Sequence, residues 1–304
     1  MSQYRLTPRL PFTVLEIAGP DSAAFLLSQL TNQLPDPGQH QLQGYCSAKG
    51  RLLAIFRLWS PAADRHLAII PTELADQTAK RLRLFVLRAK VTITLADLSV
   101  RGLWGPDMPA GGNVTSPAPE AFLLGLAPAG SCGHARAWLV GEVPEEAQIA
   151  PDATVASEAQ WMAAEIEAGL PWVWLASLDT FVPQMLNLEL VGGVSFTKGC
   201  YPGQEVVARS HYLGKLKKRM FVVDILGAPP VVGSDLLDQD GVSQGEVVMA
   251  ASVGDTSKAL ISVQLEAWKN GGLTAAASGA AIEAPPEQPY AVPLEPQAPN
   301  RPKL

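Results

Sequence analysis

Glycine and proline punctuate this chain so densely that no long regular element can run through it. The 304 residues hold 26 Gly and 26 Pro, about one residue in six against roughly one in eight in an average globular chain. Each proline withholds a backbone donor and each glycine frees the backbone for turns. Many short elements joined by tight connections are therefore expected, and a simple helical bundle is excluded. With 47% hydrophobic and 17% charged residues, the chain can bury enough apolar surface to fold unaided. Its length suits two or three domains.

No apolar run approaches the roughly 20 residues that span a bilayer, and residues 1–9 lack the apolar stretch of a signal peptide. A soluble, cytoplasmic, monomeric protein is expected. The net charge of -6 argues against stable DNA binding, which scales with clustered Lys and Arg. Cys46, Cys132 and Cys200 lie far apart with no CxxC pair, so they build neither a disulfide framework nor a self-contained metal site.

Strand-like and helical stretches alternate in the first half, which predicts an α+β fold. Residues 12–17 read as a strand, and Gly19-Pro20-Asp21-Ser22 caps a helix through about Gln33. Residues 41–46 and 51–58 flank a turn at 48–50 and read as a hairpin. A strand at 67–70 leads into a helix carrying Leu74, Thr78, Leu82 and Phe85, and a strand returns at 90–95. The cations Lys80, Arg81, Arg83, Arg88 and Lys90 read as a solvated helix face. Ser157-Glu158 opens a further helix that Gly169 stops, and residues 217–265 are strands only. The expected domains are 1–98, completed by 170–216; a smaller subdomain at 99–169; a C-terminal β-barrel at 217–284; and a proline-rich, partly disordered tail at 285–304.

The most informative stretch runs from Gly192-Gly193-Val194-Ser195-Phe196 through Lys198-Gly199-Cys200-Tyr201-Pro202-Gly203-Gln204-Glu205 to Arg209. Pro202 suits the first position of a helix, which places Cys200 just outside a helix N-terminus. The positive end of the helix, with Lys198 two residues away, favours the thiolate and makes Cys200 the most reactive of the three cysteines. Glu205 and Arg209, spaced i and i+4, can pair along that helix. An isolated cysteine is as readily a small buried residue, and spacing alone leaves both readings open. Cys46 and His211 receive no role.

The eight residues from Lys198 to Glu205 resemble the K-G-C-Y-x-G-Q-E signature of the YgfZ family, folate-binding proteins related in fold to the glycine-cleavage (GcvT-like) aminomethyltransferases. The resemblance extends to Ile166-Glu167-Ala168-Gly169-Leu170-Pro171, Phe181-Val182-Pro183-Gln184, Asn187-Leu188, Gly19-Pro20-Asp21-Ser22, Gln29-Leu30-Thr31 and Cys46-Ser47-Ala48-Lys49-Gly50. It implies a GcvT-like multi-domain ring with ferredoxin-like α/β regions, a small C-terminal β-barrel, and a tetrahydrofolate site. It also implies partnership with iron-sulfur client proteins or their assembly machinery, including enzymes that modify tRNA.

On this resemblance Cys200 and Lys198 carry the chemistry. Glu167 is the carboxylate for the pterin, and Gln184, Asn187, Tyr201, Gln204, Glu205 and Arg209 are further folate-contacting candidates. A helical wheel puts Glu165 on the apolar stripe with Trp161, Met162 and Ile166, and Glu167 on the opposite side.

Three alternatives stand beside this expectation. A true aminomethyltransferase of the resembled class carries an acid just beyond the hairpin glycine, whereas Gly50 here is followed by Arg51-Leu52-Leu53, with no titratable group for acid-base work. An iron-sulfur holoprotein needs about four ligands, more than three scattered cysteines supply. A non-enzymatic folate sensor or scaffold stays open. The charge is also uneven: residues 198–219 hold six cations (Lys198, Arg209, Lys215, Lys217, Lys218 and Arg219) against one carboxylate, Glu205. That excess suits an anionic folate or an acidic client.

Overall fold

The computed structural model describes residues 3–129, 135–142, 150, 152–212 and 216–295. Three antiparallel-dominated sheets carry the fold. The first has five strands in the order His40–Cys46, Leu52–Ala62, Arg65–Pro71, Phe12–Ala18, Thr92–Ala96. Its hairpin is in the expected place, with Tyr45 opposite Ala54 and a bulge between Tyr45 and Cys46. Helix α1 (Ser22–Gln29) ends earlier than Gln33, because Leu30 turns to extended backbone and bridges to Tyr45.

Helix α2 (Thr72–Arg83) buries Leu74, Ala75, Thr78, Ala79 and Leu82. Glu73 in its first turn and Lys80, Arg81 and Arg83 in its last suit the helix dipole. Phe85, expected on the buried stripe, lies beyond the helix end and is exposed with Leu84 and Leu87.

The second sheet runs Thr154–Val155, Arg5–Leu6, Val100–Trp104, Arg136–Val140, Ala121–Leu126, Val114–Ala118. The strand Arg5–Leu6 falls within the expected first domain, yet it pairs with Val100–Trp104 and Thr154–Val155 of the second sheet. Residues 179–195 return to the first sheet: Leu52 donates to the Phe181 carbonyl, Asp179 to that of Leu52, and Ser195 to that of Thr31.

The C-terminal sheet has six strands, in the order Thr274–Ala275, Asp235–Leu237, Ser243–Val253, Thr256–Gln264, Lys218–Leu226, Ile282–Glu283. Period-2 alternation gives its strands two apolar faces. Phe221, Val223, Ile225, Val247, Ile261 and Val263 close on one another. Met220, Val222, Val248, Met249 and Leu260 join the main core.

Helix α3 (Glu158–Glu167) lies where the three sheets meet. Ser157 and Gln160 close a reciprocal capping box at its start, as S/T-x-x-E/Q spacing favours. At its end Gly169 adopts φ 65 and donates to the Ile166 carbonyl. Trp161 projects between Trp104 and Trp138, each edge-on at 4.8 Å. Glu165 is fully buried. It accepts from Arg136 of the second sheet, sits 3.9 Å from Arg57 of the first, and accepts from Trp172 Nε1 at 3.2 Å.

The proline-rich segment is not solvated chain throughout. Gln288 gives and takes hydrogen bonds with the Val222 backbone at 2.9 Å, and the Tyr290 hydroxyl donates to the Gly169 carbonyl at 2.9 Å. An amide side chain and a phenol supply the donors that the prolines lack. The rest of the expected tail, 296–304, lies outside the described residues. Two short helices complete the fold: α4 (Gln204–Tyr212) follows the cysteine motif, and α5 (Leu265–Asn270) closes the last long strand.

Glu165→Ala leaves two guanidinium groups buried beside no carboxylate. It is expected to cost about 3–5 kcal/mol in urea-unfolding free energy, with Glu165→Gln losing less because it keeps hydrogen-bonding capacity.

Candidate functional site

Two glycine turns lock together to present the cysteine. Gly50, at φ 72, closes the hairpin turn by donating to the Ser47 carbonyl at 2.9 Å. Gly203, at φ 79, turns the motif back against it. A Cβ on Gly203 would stand 2.4 Å from the Ser47 carbonyl oxygen and 2.6 Å from the Gly50 Cα, and one on Gly50 would stand 2.8 Å from the Val206 Cβ. Only backbone without side chains fits at both places. Upstream, Thr31 Oγ1 donates to the Gly193 carbonyl and Asn32 Nδ2 to that of Gly192, which fixes the approach to the motif.

Helix α4 begins at Gln204 rather than at Pro202, so Pro202 and Gly203 form the turn before it. Cys200 is a free, exposed thiol in that lead-in segment, whereas Cys46 is buried. Burial, with the charge of Asp179 adding to it, pushes the Cys46 thiol up to about 12. Of these two thiols, Cys200 is the accessible one. Cys132 lies outside the described residues.

Lys198 is buried, and its ammonium donates to the carbonyls of Leu27 at 2.6 Å and Leu30 at 2.8 Å, at the C-terminal end of α1. Its Nζ stands 4.9 Å from the centre of the buried Tyr201 ring. Burial lowers the Lys198 pKa to about 8, with the charge of Cys200 opposing the shift. Burial raises the Tyr201 hydroxyl, and Cys46 adds to it. The arrangement is one accessible sulfur nucleophile or soft ligand beside an amine that exchanges its proton near neutral pH.

The remaining candidates divide. Gln184 is buried, donating to the Val207 carbonyl at 2.6 Å. Asn187, in the left-handed region at φ 53, donates to the Met220 carbonyl at 2.7 Å and accepts from Arg219 at 3.4 Å. These donated bonds tie both side chains to α4 and the C-terminal sheet, while Gln184 Oε1 has no hydrogen-bond partner among the described residues. Gln204 starts α4, and Glu205 is exposed. The Glu205–Arg209 ion pair that spacing allows does not form among the described residues. Arg209 instead lines an open cleft of about 700 Å³.

Glu167 faces a separate cavity of about 340 Å³, lined also by Arg5, Trp104, Ser157, Gln160 and the turn at 252–254. Lys258 holds its carboxylate from 3.5 Å, and Arg5 lies 5.3 Å from the centre of the Trp104 ring. Arg5 and Trp104 escaped the sequence reading, since a two-residue strand and a single Trp in an apolar strand carry no local signal. Asp179 also escaped it. The strand after Gly50 offers no carboxylate, but Asp179 comes to the same turn from another segment and accepts from Ser47 Oγ at 2.8 Å. Among the described residues no group of three His, Cys, Asp or Glu side chains could hold a metal ion, and no helix is long and apolar enough to cross a membrane.

No family model matches the chain. It is 33% identical over 240 residues to the tRNA-modifying protein YgfZ of Edwardsiella ictaluri, covering 73% of this chain and 70% of that one. With the protein of the same name from Colwellia psychrerythraea it shares 31% over 246 residues, covering 75% and 74%. The chain belongs to the YgfZ family. Its architecture is that of glycine cleavage system aminomethyltransferase T from Bartonella henselae, with a TM-score of 0.72 over 94% of this chain and 86% of that one, at 17% identity. The GcvT-like α+β fold with a nearly closed C-terminal barrel sheet is thereby established, and the K-G-C-Y motif of this YgfZ family member lies just ahead of the Pro202-Gly203 turn that leads into α4.

Because burial disfavours charged Lys198, the folded chain releases its proton near pH 8 while the unfolded chain keeps it to about 10.5. Its unfavourable contribution to stability is full below pH 8 and is relieved as pH rises toward 10.5. Carbon-detected NMR of the lysine ε-methylenes should resolve one lysine with a midpoint near pH 8 that vanishes in Lys198→Met.

Proposed function

We propose that this chain is a tetrahydrofolate-binding accessory factor acting in the assembly or repair of iron-sulfur enzymes, tRNA-modifying ones among them, with Cys200 as its reactive thiol. The observation that carries the folate half is the meeting of a carboxylate and a cation on one cavity, Glu167 and Arg5, with the buried Trp104 ring behind Arg5. These suit a pterin and its anionic tail, since a carboxylate accepts from the amine edge in charge-assisted bonds and a guanidinium pairs with carboxylates. At about 340 Å³, the cavity is near the lower end of small-molecule sites and is sized for the bicyclic head rather than the whole cofactor. Bound folate would supply a one-carbon carrier, and the chain's own part is to hold and orient it.

The client half draws on the family and on the exposed thiol. One accessible sulfur among the described cysteines suits one transient ligand or one covalent contact with a client, not a resident cluster. The relatives are named tRNA-modifying proteins, which supports clients of that kind here. Aminomethyl transfer is the weaker reading: Arg51 occupies the position of the acid and donates to the Asp179 carbonyl at 3.2 Å.

Tetrahydrofolate titrated into the purified protein and followed by calorimetry is expected to saturate, with Glu167→Gln weakening affinity roughly tenfold or more. Absence of binding removes the folate half. Cells lacking the gene should show an iron-sulfur enzyme deficit that wild type restores and Cys200→Ala does not; full rescue by the variant removes the thiol role.

A further inference from the structure

The open cleft beside α4 is unassigned by the reading above. It lies between α4, the turn of helix at Pro183–Leu186, and the facing ends of the strands Lys218–Leu226 and Thr256–Gln264. None of the residues lining it lines the Glu167 cavity. Its floor is aliphatic: Val182, Met185, Val206 and Leu216. Its walls carry three cations, Arg209, Lys217 and Lys218, and no carboxylate among the described residues. None of the three takes part in an ion pair among the described residues. Glu246 lies in the field of Lys218 but does not line the cleft.

Unpaired cations gathered on one wall of a chain with net charge -6 call for an anionic partner. An aliphatic floor calls for an aliphatic group between those anions. Among the described residues no aromatic ring lines the cleft, so these residues offer no stacking platform of the kind by which single-stranded nucleic acid is held. An opening of about 700 Å³ takes several residues of extended or helical peptide.

We propose that this cleft docks an acidic, amphipathic segment of a client polypeptide, aliphatic side chains on the floor and carboxylates on Arg209, Lys217 and Lys218. It rests on the client half of the proposed function and gives that half a place. Val206 and Arg209 lie on the helix that Cys200 precedes, about 3 Å and about 8 Å of helix rise beyond its first residue, Gln204. A segment held there brings its neighbourhood to the exposed thiol.

The test titrates three fluorescent probes into the full chain, followed by anisotropy. They are a peptide of about twelve residues alternating Leu and Glu, the same peptide with Ser for Leu, and a single-stranded RNA of similar length. The Leu/Glu peptide should bind, and the Ser version about tenfold or more weaker. Lys217→Glu with Lys218→Glu should weaken the Leu/Glu peptide about tenfold or more and flatten its salt dependence. Circular dichroism and the tetrahydrofolate titration of that double variant report separately on the fold and on the Glu167 cavity. Absence of peptide binding, undiminished binding by a folded double variant, indifference to the Leu side chains, or RNA binding as tight as peptide binding each overturns the proposal. None of these outcomes touches the folate titration or the Cys200 rescue, so its failure is distinguishable from theirs.

Discussion

Everything in this fold is arranged around one buried carboxylate. Glu165 gathers Arg136 from the second sheet, Arg57 from the first, and the Trp172 indole, while its helix packs against the long hairpin of the third. Burying such a cluster adds little net stability, because desolvating three charges offsets much of their attraction. What it does is positional. An aliphatic contact tolerates sliding, whereas a carboxylate between two guanidinium groups has one arrangement that pairs them. Burial lowers Arg57 to about 10, with Glu165 opposing the shift, so the guanidinium stays charged across the physiological range. Two nitrogens each on Arg57 and Arg136 have no hydrogen-bond partner among the described residues, so the donors exceed the one acid available.

The elements whose signals are local were legible in the sequence. The Gly50 hairpin, the start of α3 at Ser157 and its glycine stop, and the strands of the barrel all declare themselves within a few residues. The helical wheel also separated the two carboxylates of α3, with Glu165 buried in the core and Glu167 on a cavity. Relations between distant segments were not legible. Arg136 stands in Arg-Ala-Trp-Leu-Val and Arg57 in an apolar run, and nothing nearby tells that their partner is on a helix far along the chain. Arg5–Leu6 is too short to show which sheet it joins. Gln184 and Asn187 sit close to the motif in sequence, and their side-chain amides donate to the carbonyls of Val207 and Met220, partners in other elements that no local signal names.

The motif itself reads differently once folded. Its glycines serve contact as much as flexibility: Gly203 faces Gly50 so closely that the hairpin turn and the cysteine turn form one surface. Lys198 lies inward, holding the end of α1, and leaves Cys200 as the outward group. The excess positive charge counted along residues 198–219 also separates. Lys198 and Arg219 are buried and bound to the chain's own acceptors, while Arg209, Lys217 and Lys218 line a cleft. Lys215 lies outside the described residues.

The bond from Tyr290 to the Gly169 carbonyl spans 121 residues of chain, and it seals the end of the helix that bears Glu167. During synthesis the helix leaves the ribosome long before its seal does, by roughly ten seconds at ordinary elongation rates of about 5–20 residues per second. The Glu167 cavity is therefore among the last parts of the molecule to mature. A nascent chain stalled within the barrel would carry a complete cysteine turn and an unfinished Glu167 cavity.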